Sequence, residues 1–157
     1  MRRDEAIGLI IGVVSVIVAL IAAAAPIEPL LSDEPLPEPP HLVITNGIIM
    51  PDQNAVWYYF WKVTVLLVVI FFAAFVASFF VEVRGGVRTF FAFLSFATAT
   101  FHYLNLFMMA NSITMYPFLY VLHIKTNNSG TINQYYLDIG QIFILYGVYN
   151  IWKLLKE

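Results

Sequence analysis

The sequence predicts an all-α integral membrane protein: a four-transmembrane-helix bundle whose proline-rich first outer loop carries a short β-hairpin. Three observations lead there. Of 157 residues, 61% are hydrophobic and 11% charged, against about 45–50% apolar and about 25% charged in an ordinary soluble domain. The apolar residues gather into four runs, and roughly 20 such residues cross a bilayer as one helix. Six of the eight basic residues fall on one side of the topology those runs define, with only Lys62, at a span edge, and Lys125 on the other.

The first span covers residues 6–25, uncharged and broken only by Ser15. Arg2-Arg3, the apolar run and Ala22–Ala25 resemble a cleavable signal peptide. Asp4 and Glu5 among the basic residues, and Pro26 after the alanines, favour a retained span instead. The outer loop 26–55 holds six of the eight prolines before residue 41, together with Glu28, Asp33, Glu34 and Glu38. Proline density favours an extended, stiff spacer and prevents a helix; a partner-binding strip is the sharper alternative. Leu42–Thr45, Asn46-Gly47 and Ile48–Met50 then read as a β-hairpin, which needs an external support because an isolated hairpin is marginal in water.

The second span covers 56–81. The inner turn 82–88 combines Gly85 and Gly86 with Glu82, Arg84 and Arg88, as a tight turn at a membrane surface would. The third span is placed at 89–112. Its apolar stretch runs on to Ile124, about 54 Å if fully helical, too long for a core of about 30 Å. Pro117 therefore ends or kinks the helix between Ser112 and Pro117, with Phe118–Ile124 along the outer interface. The second outer loop, 113–134, contains Asn127-Asn128-Ser129, a glycosylation sequon at Asn127 or simply a polar turn ending at Gly130. The fourth span, 135–155, is interrupted by Asp138, Gln141 and Asn150.

Arg2 and Arg3, Arg84 and Arg88, and Lys153 and Lys156 share one side in a four-span chain. The positive-inside rule makes it cytoplasmic, with both termini inside. Trp57, Tyr58, Tyr59 and Trp61, then Tyr135 and Tyr136, mark the outer interface; Tyr149 and Trp152 mark the inner one. Which membrane is involved does not follow from the sequence.

Small residues form stripes. Gly8, Gly12, Ser15, Ala19 and Ala22 share one face of span one. Ala73, Ala74, Ala77 and Ser78 lie on span two, and Gly140 and Gly147 on span four. Such faces let helices approach closely in lipid, within one bundle or in a homodimer seam. Span three carries a polar stripe: Ser95, Thr98, His102, Asn105, Met109 and Ser112, spaced three and four apart. His102 is about fourteen residues from the inner end, near mid-bilayer at about 1.5 Å per residue. Polar groups at that depth face the bundle, a cavity or a partner. Three readings compete: interhelical hydrogen bonds, a polar path with His102 as the titrating group, and a haem or metal ligand. The last is weakest, because His123 is about 30 Å further along a helix and His41 is in the outer loop. No metal site and no cofactor is expected. Lys62 and Asp138 are placed at similar depth from the outer surface and are expected to form an ion pair, with separate snorkelling as the alternative.

Net charge is −2, from 8 basic and 10 acidic residues, which leaves no basic surface for nucleic acid. The absence of cysteine excludes disulfides, thiolate metal sites and cysteine nucleophiles. The layout, with both ends inside and the longer outer loop first, is similar in outline to claudin-like and MARVEL-type tetraspan proteins. The resemblance is one of topology and carries over no residues; claudins have paired cysteines in the first outer loop, and this chain has none. The expected function is a non-catalytic polytopic subunit or scaffold, packing against other membrane proteins or itself through its small-residue and polar faces. The alternative is a small oligomeric channel or transporter with the polar face of span three lining the path. An enzyme is not expected, since no nucleophile–base–acid set or carboxylate pair is evident.

Overall fold

The computed structural model describes residues 2–25, 56–109, 113–125 and 131–156. The proline-rich loop with its expected hairpin, Ser112 and the Asn127 sequon lie outside these residues. In chain order the elements are α1 (Arg3–Ala24), α2 (Val56–Ala77), a 3₁₀ turn (Ser78–Phe80), α3 (Gly85–Met109), β1 (Ile113–Tyr116), β2 (Leu119–Lys125), β3 (Thr131–Leu137) and α4 (Ile139–Leu154). Three helical segments are long and apolar enough to cross a membrane: Arg3–Ala24, Tyr59–Phe80 and Gly85–Met108. At 16 residues, α4 reaches about 24 Å, short of the roughly 20 residues a crossing takes.

α3 is the central helix, packed against α1, α2 and α4. Its Phe91 and Leu94 meet Val63, Leu67 and Phe71 of α2, Ala19 and Ala23 of α1, and Phe143 of α4 in one buried cluster. Phe71 is the hub, with its ring edge-on to Phe143 at 4.8 Å, Phe91 at 5.4 Å and Tyr146 at 5.4 Å. Such aromatic pairs add about 0.5–1.5 kcal/mol each beyond area burial. The fully buried residues of α1 are all small, Gly8, Gly12, Ala19 and Ala23, with Val16 and Leu20 packed against the cluster's edge. At its start, the Glu5 carboxylate accepts from the Arg2 backbone N–H at 2.9 Å and from Arg2 Nε at 2.8 Å, satisfying a donor at the helix end.

The inner turn is shorter than the sequence suggests. α3 already begins at Gly85, and only residues 81–84 link it to the 3₁₀ turn. The two glycines serve close approach: a Cβ on Gly86 would lie 2.6 Å from the Asp4 carbonyl oxygen, and one on Gly8 would lie 1.9 Å from the Gly86 carbonyl oxygen. The N-terminal turns of α1 and α3 therefore pack backbone to backbone.

The larger correction concerns the second outer loop, 113–134, and the start of span four. The chain is not all-α. Residues 113–137 include a three-stranded antiparallel sheet in the order β1-β2-β3, with Tyr116 paired to Leu119, Leu119 to Leu137, and Lys125 to Thr131. Phe118–Ile124 belongs to this sheet and its turn. The physical reason is composition: Ile, Val, Thr and Tyr favour a pleated surface, and Pro117 forbids helix continuation. Tyr135–Leu137 likewise pairs with β2, so the last helix starts at Ile139, not Tyr135.

Candidate functional site

Pro117 and Phe118 form the tight turn between β1 and β2, and Phe118 takes a positive φ of 61°. That left-handed conformation costs a non-glycine residue about 1–2 kcal/mol. The surroundings hold it in place. The Phe118 carbonyl accepts from the Asp138 backbone N–H at 2.8 Å. The Phe118 N–H donates to Gln141 Oε1 at 3.0 Å, and Gln141 Nε2 donates to the Tyr116 carbonyl at 2.8 Å. One glutamine side chain thus closes both ends of the turn against the start of α4.

Asp138 is the N-cap of α4 and is completely buried. Its Oδ1 accepts from the Gln141 backbone N–H at 3.2 Å, as an N-cap side chain does. Its Oδ2 accepts from Gln141 Nε2 at 2.8 Å. The Tyr103 hydroxyl of α3 lies 3.1 Å from both carboxylate oxygens. His102 Nε2 lies 3.5 Å from Oδ1, beyond ordinary hydrogen-bond length, and has no hydrogen-bond partner among the described residues. The approach of α4 depends on Gly140, where a Cβ would sit 2.7 Å from the Tyr103 ring and 2.8 Å from His102 Cδ2. Tyr120 of β2 completes the wall, its ring 5.9 Å from His102 and stacked on Tyr136 at 5.3 Å. Burial, then the neighbouring Tyr136 and Asp138, push the Tyr120 hydroxyl up to about 12.

The structure buries four members of the expected stripe together: Ser95, Thr98, His102 and Asn105. Thr98 Oγ1 donates to the Leu94 carbonyl at 2.8 Å. Ser95 Oγ and Asn105 Oδ1, like His102 Nε2, are buried without a hydrogen-bond partner among the described residues. Met109 is the last residue of α3.

Asp138 takes its partners from α3 and α4, not from Lys62. Lys62 Nζ donates to the Ala25 carbonyl at 3.2 Å. The depth argument for their pairing assumed a helix running from Tyr135. With the helix starting at Ile139, Asp138 faces the turn and α3. The sequence pattern alone does not single out Tyr103 and Gln141 as site residues, although an Asp followed three residues later by Gln before an apolar run is a helix-start signal.

The small-residue faces divide. Gly8, Gly12, Ala19, Gly140 and Gly147 are buried inside the bundle, with Gly12 against Phe93 and Gly147 against Phe96. Ser15 donates to the Ile11 carbonyl at 2.9 Å on its own helix. Ala73 and Ala77 are exposed. So are Met115, Tyr116, Phe118, Leu119, Tyr135, Tyr136 and Leu137 around the sheet. His123 ties the sheet's strands together, with Nε2 2.8 Å from Thr114 Oγ1 and Nδ1 2.8 Å from Asn133 Oδ1.

Fold and site together define a mostly helical protein with three helices fit to span a membrane and a small sheet latched to one end of the bundle. No protein family, curated protein or solved structure matches the chain.

Proposed function

We propose that this chain is a non-catalytic membrane subunit or scaffold, with α4 completing a fourth crossing and both termini on the cytoplasmic side. The observation that carries this reading is the direction of α3's polar stripe. Its side chains are turned inward, and the Asp138 node holds α4 and the sheet against them. Interhelical hydrogen bonds of this kind are worth about 0.6–2 kcal/mol each in a membrane. The bond from Tyr103 to Asp138 supports a rigid packing role for this region, whereas Thr98 bonds only the carbonyl of its own helix. The exposed apolar surface includes the strip of α2 around Ala73 and the aromatic rim of the sheet. Those are the surfaces offered to other membrane proteins or to a second copy. For α4 to cross, Lys153 and Lys156 must end it at an interface; both ammonium groups lie over the Trp152 ring, at 5.3 Å and 3.9 Å, as snorkelling side chains do.

Purification from native membranes in mild detergent tests the proposal. The expected result is a stoichiometric complex or homo-oligomer that Ala73→Trp dissociates without lowering the melting temperature. A lone monodisperse chain would overturn it. The channel reading draws on one specific observation, the three unpartnered polar atoms Ser95 Oγ, His102 Nε2 and Asn105 Oδ1. Solute or proton flux in liposomes that His102→Leu abolishes would select it instead.

A further inference from the structure

At the opposite end of the bundle from the Asp138 node, a groove of about 650 Å³ opens between α1 and α2 over the first turns of α3. It exists because of which residues face it. The contact of Gly8 with Gly86 draws α1 onto α3, while Ala74, Ala77 and Ser78 of α2 and the 3₁₀ turn are too small to fill the space opposite Ile7 and Ile11. Phe90 and Phe91 form part of the floor. Its size falls within the roughly 300–1,000 Å³ of sites that hold small ligands. The walls are hydrocarbon. The mouth is not: Asp4, Glu82 and Arg84 line it, their side chains 50%, 71% and 73% exposed. Glu82 and Arg84 form an ion pair, and the carboxylate beside it raises the Arg84 guanidinium further above its ordinary range.

We propose that this groove binds one glycerophospholipid of the bilayer whose headgroup carries both a phosphate and a primary amine. An acyl chain lies along Ile7, Ile11, Ala74, Ala77 and Phe90. The phosphate accepts from Arg84, whose five donors allow it to hold Glu82 at the same time. The ammonium donates to Asp4 and Glu82. Asp4 lies 4.0 Å from the Arg2 guanidinium and Glu82 pairs with Arg84, so two carboxylates, each beside a guanidinium, face a zwitterionic headgroup. An anionic headgroup lacks the ammonium from which Asp4 and Glu82 would accept, and a quaternary ammonium has no N–H to donate. A partner helix fits less well, because its apolar side chains would cover three charges at the groove mouth.

The test is native mass spectrometry of the full chain released from nanodiscs of equimolar phosphatidylethanolamine, phosphatidylcholine and phosphatidylglycerol, with thermal melting as a fold control. The expected result is one retained phosphatidylethanolamine per chain, favoured over each competitor on the order of tenfold, as one charge-assisted hydrogen bond provides. Ala77→Trp, which fills the groove, should abolish retention. Glu82→Gln and Asp4→Asn, at exposed positions, should leave the melting temperature unchanged and reduce the preference over phosphatidylcholine several-fold; they decide the matter if Ala77→Trp does not fold. Equal retention of all three lipids, unchanged retention by a folded Ala77→Trp, or a lipid-free dimer dissociated by Ala77→Trp would each overturn the proposal.

Discussion

α3 meets its neighbours in two opposite ways. Against α1 the interface is dry and made of missing atoms: Gly8 and Gly12 on one side, Gly86 and Phe93 on the other. Against α4 and the sheet it combines the close approach of Gly140 and Gly147 with the Tyr103 hydroxyl on the Asp138 carboxylate. Lipid offers no hydrophobic drive for helix association, so packing and hydrogen bonds must supply it. The two sides of α3 weight those contributions differently. Both are close-packed at a glycine; the second also depends on a hydrogen-bond partner.

Adding a methyl group to the first should have the largest effect. Gly8→Ala places a carbon 1.9 Å from a backbone oxygen that cannot swing away. We expect a loss of about 3 kcal/mol or more, at the upper end of overpacking effects, read by thermal unfolding in detergent. Gly147→Ala is the control, because its new carbon meets the Phe96 ring at 3.0 Å and a ring can give; under about 1.5 kcal/mol is expected. Equal losses at the two sites would erase the distinction between backbone and side-chain seams.

Removing the acceptor from the second interface comes next. Asp138→Ala deletes the cap of α4 and leaves Tyr103 and Gln141 without their partner. A loss of about 2–3 kcal/mol is expected in the same assay. Gln141→Ala should cost about 1 kcal/mol and speed hydrogen exchange at the Phe118 amide, which donates to the Gln141 side chain. Unchanged exchange there would show that the strained turn stands without its clamp.

The smallest effect is an alkaline one. The Tyr120 hydroxyl is pushed up to about 12 in the folded chain, from an ordinary 10. Between pH 10 and 12 the unfolded chain therefore loses the proton more readily than the folded one. The stability this burial protects is complete below pH 10 and declines as pH rises toward 12. Tyr120→Phe should flatten that part of the melting-temperature profile. A decline of the same size in the variant would place its origin elsewhere.

Much of this was legible in the sequence, and the reasons differ by element. The three long helices follow from uninterrupted apolar runs. That Ser95, Thr98, His102 and Asn105 share a face follows from their spacing; that α4 and the sheet cover it does not. The sheet was hidden because residues 113–137 are as apolar and aromatic as an interfacial segment, and both environments favour the same residues. Its signals were local: the stop at Pro117, β-branched runs, and the Asn-Ser-Gly break before Thr131. Gly85 and Gly86 read as a turn because a glycine pair beside charges serves a turn and a close helix approach equally well. Asp138 was assigned to Lys62 by depth, an argument that fails once three residues move from helix to strand.

The account's central claim is that the Tyr103–Asp138 contact locks α4 and the sheet onto α3. The most direct test is a double-mutant cycle of Tyr103→Phe and Asp138→Ala, with unfolding free energies measured in one detergent. The two side chains meet at 3.1 Å, so the double change should cost less than the sum of the single changes by about 1 kcal/mol. Additivity within about 0.3–0.5 kcal/mol, the behaviour of independent sites, would contradict the lock.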